Sequence, residues 1–294
     1  MIVTVTLNAA LAVSYEATAL AFDKQGELGR ATYRASGRGV TVARVLHKFG
    51  HDVLATGLAG GTAGELIAAD LARDGVQSDF TRIGRESRRV FEIAERGTGR
   101  VMRLRETGPY VTTEELGRFA SDYRRLLDGA TAVVMSGSLP PGLPSDIYGS
   151  LVSYAASAGV PVIVDADGEE LMHGARRKPD LVIGGPEAKA EAFLSLGPRA
   201  VATPEASGLQ VLTPDGGWIA EVGDRAVAGV GEVGGRGALV AGLVPGLLLG
   251  WSWPDRIRHA LALAASAGPA GDVDLGRYED LVGGDVIRVT AGAK

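Results

Sequence analysis

Apolar and hydroxyl-bearing residues alternate from Met1 to Asn8, and the apolar ones are mostly β-branched, which predicts a first strand. Ser14–Ala21 reads as a short exposed strand. Val42, Val45, Leu46 and Phe49 recur at helical spacing and predict a helix over Gly39–Phe49, followed by a strand at His51–Leu58. Thr62, with Glu65 three residues on, has the form of a capping box and opens a helix to Asp74. Phe80–Ile83, Arg89–Ala94 and Val101–Arg105 read as short strands, and a second box at Thr112 opens a helix to about Leu127. Strand and helix then alternate: Thr131–Ser136, Pro144–Ala158, Pro161–Asp165, Glu169–Ala175, Asp180–Ile183 and Pro186–Leu196. Strands at Ala200–Thr203, Leu209–Thr213 and Trp218–Val222 precede helices at Ala238–Leu249, Pro254–Ala267 and Leu275–Val282 and a last strand at Asp285–Thr290.

Such alternation predicts an α/β fold, a mainly parallel sheet with helices on both faces. The short strands near 14–21 and 89–105 do not fit it. They predict a small β lid, drawn from about 10–35 and 88–106, on a single domain spanning 1–294. No internal repeat or low-complexity linker interrupts the chain.

Composition narrows the function classes. Apolar residues make up 46% and charged residues 22% of 294, the mix of an ordinary globular protein. The longest apolar run, Ala238–Leu249, contains Gly242, Pro245 and Gly246 and falls short of the roughly 18 residues of a membrane span. The first ten residues carry no basic leader, so no signal peptide is expected. Absence of cysteine excludes disulfides, thiolate metal sites and a cysteine nucleophile, and fits a cytoplasmic protein. A net charge of −5 argues against a general nucleic-acid binder, although eight arginines and three glutamates between Arg82 and Arg105 make that stretch locally basic.

Several segments carry candidate chemistry. Gly229-x-Gly231-x-x-Gly234 matches a dinucleotide fingerprint. Its flanks, a weak strand at Ala226–Ala228 and a helix after the next one, read more simply as a Gly-rich loop aimed at an anion. Ser136-Gly137-Ser138-Leu139-Pro140-Pro141-Gly142 follows a buried strand, where α/β folds bind ligands; it is equally a strand-to-helix turn. Ser36-Gly37-Arg38-Gly39 opens a helix and suits a phosphate or sugar hydroxyl, or is a capped turn with a solvated arginine. Arg88 and Arg89 point to opposite faces of a strand, so one at most faces a given site. His47, His51, His173 and His259 show no metal-ligand spacing. Asp165 and Asp167, at the end of a strand, hold Mg²⁺ or cap the next helix.

In this order the motifs resemble the ribokinase/PfkB family of sugar kinases, in the branch of bacterial 1-phosphofructokinase and tagatose-6-phosphate kinase. Thr4–Leu11 reads TVTLNAAL against the family's TVTLNPAL, and Ser36–Arg44 reads SGRGVTVAR against GGKGVNVAR. Ser136–Gly142 matches SGSLPPG fully, Val164–Gly168 follows the pattern, and the helix at Ala238–Leu248 follows the family's glycine-rich anion hole. The resemblance implies a three-layer α/β/α fold with a β lid that often serves as a dimer surface. It also implies ATP and Mg²⁺ as co-substrates, and a sugar site at Asn8, Gly37, Arg38, Gly39, Thr41, Arg88, Ser136, Gly137 and Ser138.

The departures fall on the chemistry. Where the family reads GAGD, whose Asp deprotonates the sugar hydroxyl, this chain reads Gly234-Gly235-Arg236-Gly237. Gly237 has no side chain to act as base, a loss of about 10²–10⁴-fold, and Arg236 replaces an anion-hole glycine. Ala12 stands at the family's sugar-binding Asp, Thr41 at an Asn and Arg38 at a Lys. The KPN motif and its Mg²⁺-organising Glu become Ile183-Gly184-Gly185-Pro186-Glu187, with Glu187 one residue out of register. The SLGxxG nucleotide turn becomes Thr203 to Gly208, with Glu205 negative where phosphates approach. About twenty residues separate Ile183 from Thr203, fewer than the family usually has there. These losses put ATP and Mg²⁺ binding in question. They predict a kinase relative with lost or very weak phosphoryl transfer that keeps a phosphosugar ligand, or pairs with itself or with an active paralogue. The competing expectations are a working kinase with Asp165, Asp167 or Glu187 as substitute base, and a sugar or nucleotide sensor without chemistry.

Overall fold

The strand β1 (Ile2–Thr6) is buried along its whole length, because it lies between two parallel neighbours and under helices on both sides. The computed structural model describes residues 1–21, 25–185, 187–206, 208–223, 233–268 and 271–292. Along the chain β1 is followed by β2 (Ala10–Ala17), β3 (Thr32–Ser36), α1 (Arg38–Lys48), β4 (Val53–Gly60), α2 (Gly61–Arg73), β5 (Gln77–Ile83), β6 (Arg88–Glu95) and β7 (Val101–Arg105). Next come α3 (Thr113–Leu127), β8 (Ala132–Ser136), α4 (Ile147–Ser157), β9 (Val162–Asp165), α5 (Gly168–Ala175), β10 (Leu181–Ile183) and α6 (Ala190–Leu194). The chain closes with β11 (Val201–Glu205), β12 (Gly208–Thr213), β13 (Gly216–Val222), α7 (Val233–Leu249), α8 (Trp253–Ser266), α9 (Leu275–Gly283) and β14 (Ile287–Gly292).

Ten of these strands form one sheet in the order β14-β13-β12-β11-β10-β9-β8-β1-β4-β5. Pairing is parallel from β5 through to β11 and antiparallel from β11 to β14. Alternation along each strand divides the core in two. Val3, Val5, Val133, Met135, Val162 and Val164 face Phe119, Tyr123, Tyr148 and Leu151 of α3 and α4. Ile2, Val53, Val134, Ile163 and Ile183 face α1, α2, α7 and α8 through Val45, Ile67, Leu243 and Leu261. The expected α/β/α arrangement with a mainly parallel sheet is what the chain adopts.

A second sheet has the order β3-β2-β6-β7, with β2 and β6 parallel and the outer pairs antiparallel. Leu11, Val13 and Ala35 of this sheet are buried in the same core as Ile67 and Leu71 of α2.

Four expectations are corrected. Thr62 and Glu65 form no capping box: α2 starts at Gly61, and the Glu86 carboxylate accepts from Ala63 N at 2.6 Å and Thr62 N at 3.2 Å. A carboxylate from outside the helix satisfies the same orphan N–H groups, leaving Glu65 to pair with Arg82 at 3.5 Å. The exposed strand expected over Ser14–Ala21 begins at Ala10 and ends at Ala17. The helix expected over Pro186–Leu196 shrinks to Ala190–Leu194, with Pro186 outside the described residues. The helix expected from Ala238 starts at Val233, so Gly234–Gly237 lie inside its first turns. By contrast the box at Thr112 and Glu115 is present in full.

Candidate active-site cleft

The C-terminal ends of β8, β9 and β10 meet the first residues of α1 and α7, the place where open α/β sheets bind ligands. Gly37 has φ +131°, a backbone state glycine takes without strain, and this turns the chain from β3 into α1 with Arg38 as the first helical residue. Asp165 ends β9 and is fully buried. It accepts from the Ser136 hydroxyl, from Arg38 Nη1 at 3.2 Å and from Arg236 Nε at 2.8 Å. Asp167, two residues on and 57% exposed, accepts from Arg38 Nη2 at 2.9 Å and pairs with Arg236 Nη1 at 3.2 Å. Arg236 also donates to the carbonyls of Ala166 at 3.3 Å and Ile183 at 3.4 Å. Two cations and two anions thus close on one another. Burial alone lowers the Arg38 pKa, but Asp165 and Asp167 more than offset it, and the net shift is upward.

The loop after β8 is pinned from below. Gly137 N donates to Asp165 O at 3.0 Å, and the buried Tyr148 hydroxyl donates to Gly137 O at 2.9 Å. Burial pushes the Tyr148 phenol up, so it stays a proton donor. Asp167 is the N-cap of α5 by position, but its side chain makes no capping bond; it is spent on the arginines, which corrects the capping alternative. Nor is Arg38 a solvated arginine, at 14% side-chain exposure.

Gly237 packs against α1. A Cβ placed there stands 2.6 Å from both Cβ and Cγ2 of Thr41 and 3.2 Å from Arg38 O, closer than side chains approach. Thr41 therefore fills the space a longer residue at position 237 needs.

A separate cavity of about 440 Å³ opens between the two sheets, lined by Asn8, Arg88, Glu106, Leu139, Ser145 and Glu170 among others. Asn8 Nδ2 donates to Ser138 Oγ at 3.3 Å and Leu139 O at 3.4 Å, and its Oδ1 is buried without a partner. Arg88 Nε donates to Asn8 O at 3.2 Å. Neither Arg88 nor Arg105 has a carboxylate partner among the described residues, whereas Arg82, Arg89, Arg96, Arg100 and Arg103 each pair with a glutamate. Burial, then the Arg105 charge, hold the Arg88 pKa below its ordinary value. Ala12 sits on β2 between Arg34 and Val90, and Gly39 lies against β1 at Thr6.

On the nucleotide side the expected residues are dispersed. Glu205 and Gly208 pair with each other where β11 turns into β12, and Thr203 is buried in β11 with an unpartnered hydroxyl. Glu187 is exposed in the turn before α6. Ile183 alone joins the cleft, through its carbonyl on Arg236. Gly229, Gly231 and the strand expected at Ala226–Ala228 lie outside the described residues. Sequence reasoning missed the pairing of Arg236 with the aspartates; the signal available was an arginine in a glycine run opposite an Asp-x-Asp.

Mg²⁺ needs free oxygen ligands. Asp165 and Asp167 are taken by guanidiniums, and no group of three acids or histidines suited to a metal occurs among the described residues. With Arg236 across the strand ends as well, the described residues do not fit a Mg²⁺-nucleotide. No helix among the described residues is long and apolar enough to cross a membrane.

Comparison with solved structures finds the same fold. A possible 1-phosphofructokinase from Thermotoga maritima aligns over 100% of both chains at 23% identity, TM-score 0.87. Phosphofructokinase-2 from Escherichia coli, seen in a tetrameric inhibited form, aligns over 96% of this chain and 98% of its own at 20% identity, TM-score 0.87. The same enzyme in complex with fructose-6-phosphate aligns with TM-score 0.86 over the same shares at 20% identity. The family model described as pfkB family carbohydrate kinase matches residues 6–200. On that match, the chain whose cleft is closed by Arg38 and Arg236 belongs to the pfkB family of carbohydrate kinases.

Proposed function

We propose that this chain binds a phosphorylated sugar in the cavity at Arg88 and transfers phosphoryl groups weakly or not at all. The observation that carries the binding half is Arg88 itself: a largely buried guanidinium, beside Arg105, with no carboxylate partner among the described residues. A buried cation without a counter-ion is costly unless an anion arrives, and a sugar phosphate supplies one. Glu106, Glu170 and Asn8 are placed to meet hydroxyl groups. Fructose-6-phosphate, bound by the Escherichia coli relative, is the first ligand to try. Arg38, the other arginine expected to hold the ligand, is engaged with Asp165 and Asp167.

Support for the second half is the glycine at 237 and the paired state of Asp165 and Asp167, which leaves neither free to take a proton from an acceptor. ATP and Mg²⁺, used by kinases of this family, find no fitting set of ligands among the described residues, in keeping with weak or absent transfer. The smaller sheet is proposed as lid and pairing surface of one domain. Tyr33, Val101 and Leu104 are exposed on it and Leu28 beside it, as a homodimer or an active paralogue would require. A cytoplasmic setting belongs to the same proposal and rests on the lack of cysteine.

Thermal-shift titration tests the binding. Fructose-6-phosphate, fructose-1-phosphate or tagatose-6-phosphate raises the melting temperature and free fructose does not. Arg88→Gln weakens binding about 10- to 100-fold, the worth of a charged hydrogen bond. Robust ATP turnover with any of these sugars overturns the silent reading, and equal shifts in Arg88→Gln overturn the site.

A further inference from the structure

We propose that Arg236 is a built-in counter-cation: with Arg38 it occupies the Asp165–Asp167 pair and bars this end of the cleft to divalent metal. The inference goes beyond sugar-phosphate binding and stands independently of it, because the Arg88 cavity does not include Arg236.

The geometry is that of a filled site. Nε and Nη2 of Arg236 lie 2.8 Å and 2.7 Å from the same oxygen of Asp165, Nη1 lies 3.2 Å from Asp167, and Nη2 reaches the carbonyls of Ala166 and Ile183. All three nitrogens have oxygen partners, and the side chain is only 16% exposed. Carboxylates and carbonyls converging from three directions are the ligands a hard cation takes. Here a guanidinium on α7 meets them, and Arg38 on α1 meets the same two carboxylates. The local charge is two positive and two negative, so an added divalent ion meets no net attraction and must displace a chelated arginine.

Removing the Arg236 charge leaves two carboxylates against Arg38 alone. Coulomb energies between the bulk-water and near-surface limits put the resulting gain in divalent affinity at about 10- to 100-fold. The experiment titrates Mn²⁺ into the full chain and follows the free-ion electron paramagnetic resonance signal. In the unaltered protein the signal stays that of free Mn²⁺ up to millimolar protein. In Arg236→Ala it falls as Mn²⁺ is bound. Arg236→Gln retains a neutral donor at the place of Nε, beside Asp165, and serves where the alanine variant does not fold. Adding Asp167→Asn to Arg236→Gln returns the signal to that of the unaltered protein, placing the ion on this pair. Mn²⁺ bound by the unaltered protein, or ignored by a folded position-236 variant, overturns the inference. The sugar-phosphate thermal shift of Arg236→Gln is read in parallel. Its persistence alongside a negative Mn²⁺ result means that the counter-cation inference alone has failed.

Discussion

Arg236 holds Asp165 with two nitrogens on one oxygen, Nε at 2.8 Å and Nη2 at 2.7 Å, across 71 residues of sequence. This chelate ties the first turn of α7 to the end of β9, and the Ile183 carbonyl ties it to β10. Asp165 is fully buried and Asp167 is 57% exposed, so the two acids carry very different weights.

Asp165→Asn leaves two guanidiniums without their buried partner and costs about 3–5 kcal/mol of folding stability. Asp167→Asn removes a mostly exposed partner and costs less than about 1 kcal/mol. Urea unfolding of both variants checks this, and equal costs contradict the division.

Gly237→Asp, which restores the family residue, brings no rescue of phosphoryl transfer and destabilises the protein by about 1–3 kcal/mol through overpacking on Thr41. Gly237→Asp with Thr41→Ala recovers part of that loss, a coupling expected of residues in contact. Denaturant midpoints of the two single variants and the double variant measure it.

The start of α2 makes a third comparison. Glu86→Ala exposes the N–H groups of Thr62 and Ala63 and costs about 0.5–2 kcal/mol, as loss of a cap does. Thr62→Ala, at the position that resembled a cap in the sequence, changes stability by less than about 0.5 kcal/mol.

Acid sensitivity has a site of its own. His259 lies against Phe49, Trp251 and Tyr278, its Nδ1 2.8 Å from the Tyr278 hydroxyl, and burial, then His51, lower its pKa to about 4 from 6.5. The unfolded chain therefore binds this proton more readily than the folded one. Stability is whole above about pH 6.5 and declines as pH falls towards about 4, by up to about 3 kcal/mol. His259→Phe flattens that part of the slope, read as unfolding free energy at about pH 7 and about pH 4.5. An unchanged slope assigns the acid sensitivity elsewhere.

Much of the layered fold was legible because its strands are buried on both faces. Runs such as Ile2–Thr6 and Ala132–Ser136 cannot be satisfied except inside a covered sheet. The box at Thr112 and Glu115 was readable for a similar reason, since both partners lie within one turn. Thr62 and Glu65 have the same spacing, yet the competing carboxylate of Glu86 comes from 24 residues away, and no local pattern reveals it. The cleft divides in the same way. Gly237 for Asp and Arg236 for Gly could be read off the line of residues, as losses.

The sequence by itself determined the α/β layering, because that follows from local periodicity, and its resemblance to the family's motifs told which side chains are missing from the cleft. Only the tertiary structure decided that Arg38 and Arg236 converge on Asp165 and Asp167, that Thr41 fills the space beside Gly237, and that Arg88 and Arg105 are left without carboxylate partners among the described residues. Electrostatic pairing depends on distance in space, and residues 38, 165 and 236 become neighbours only when parallel strands bring their ends to one edge of the sheet.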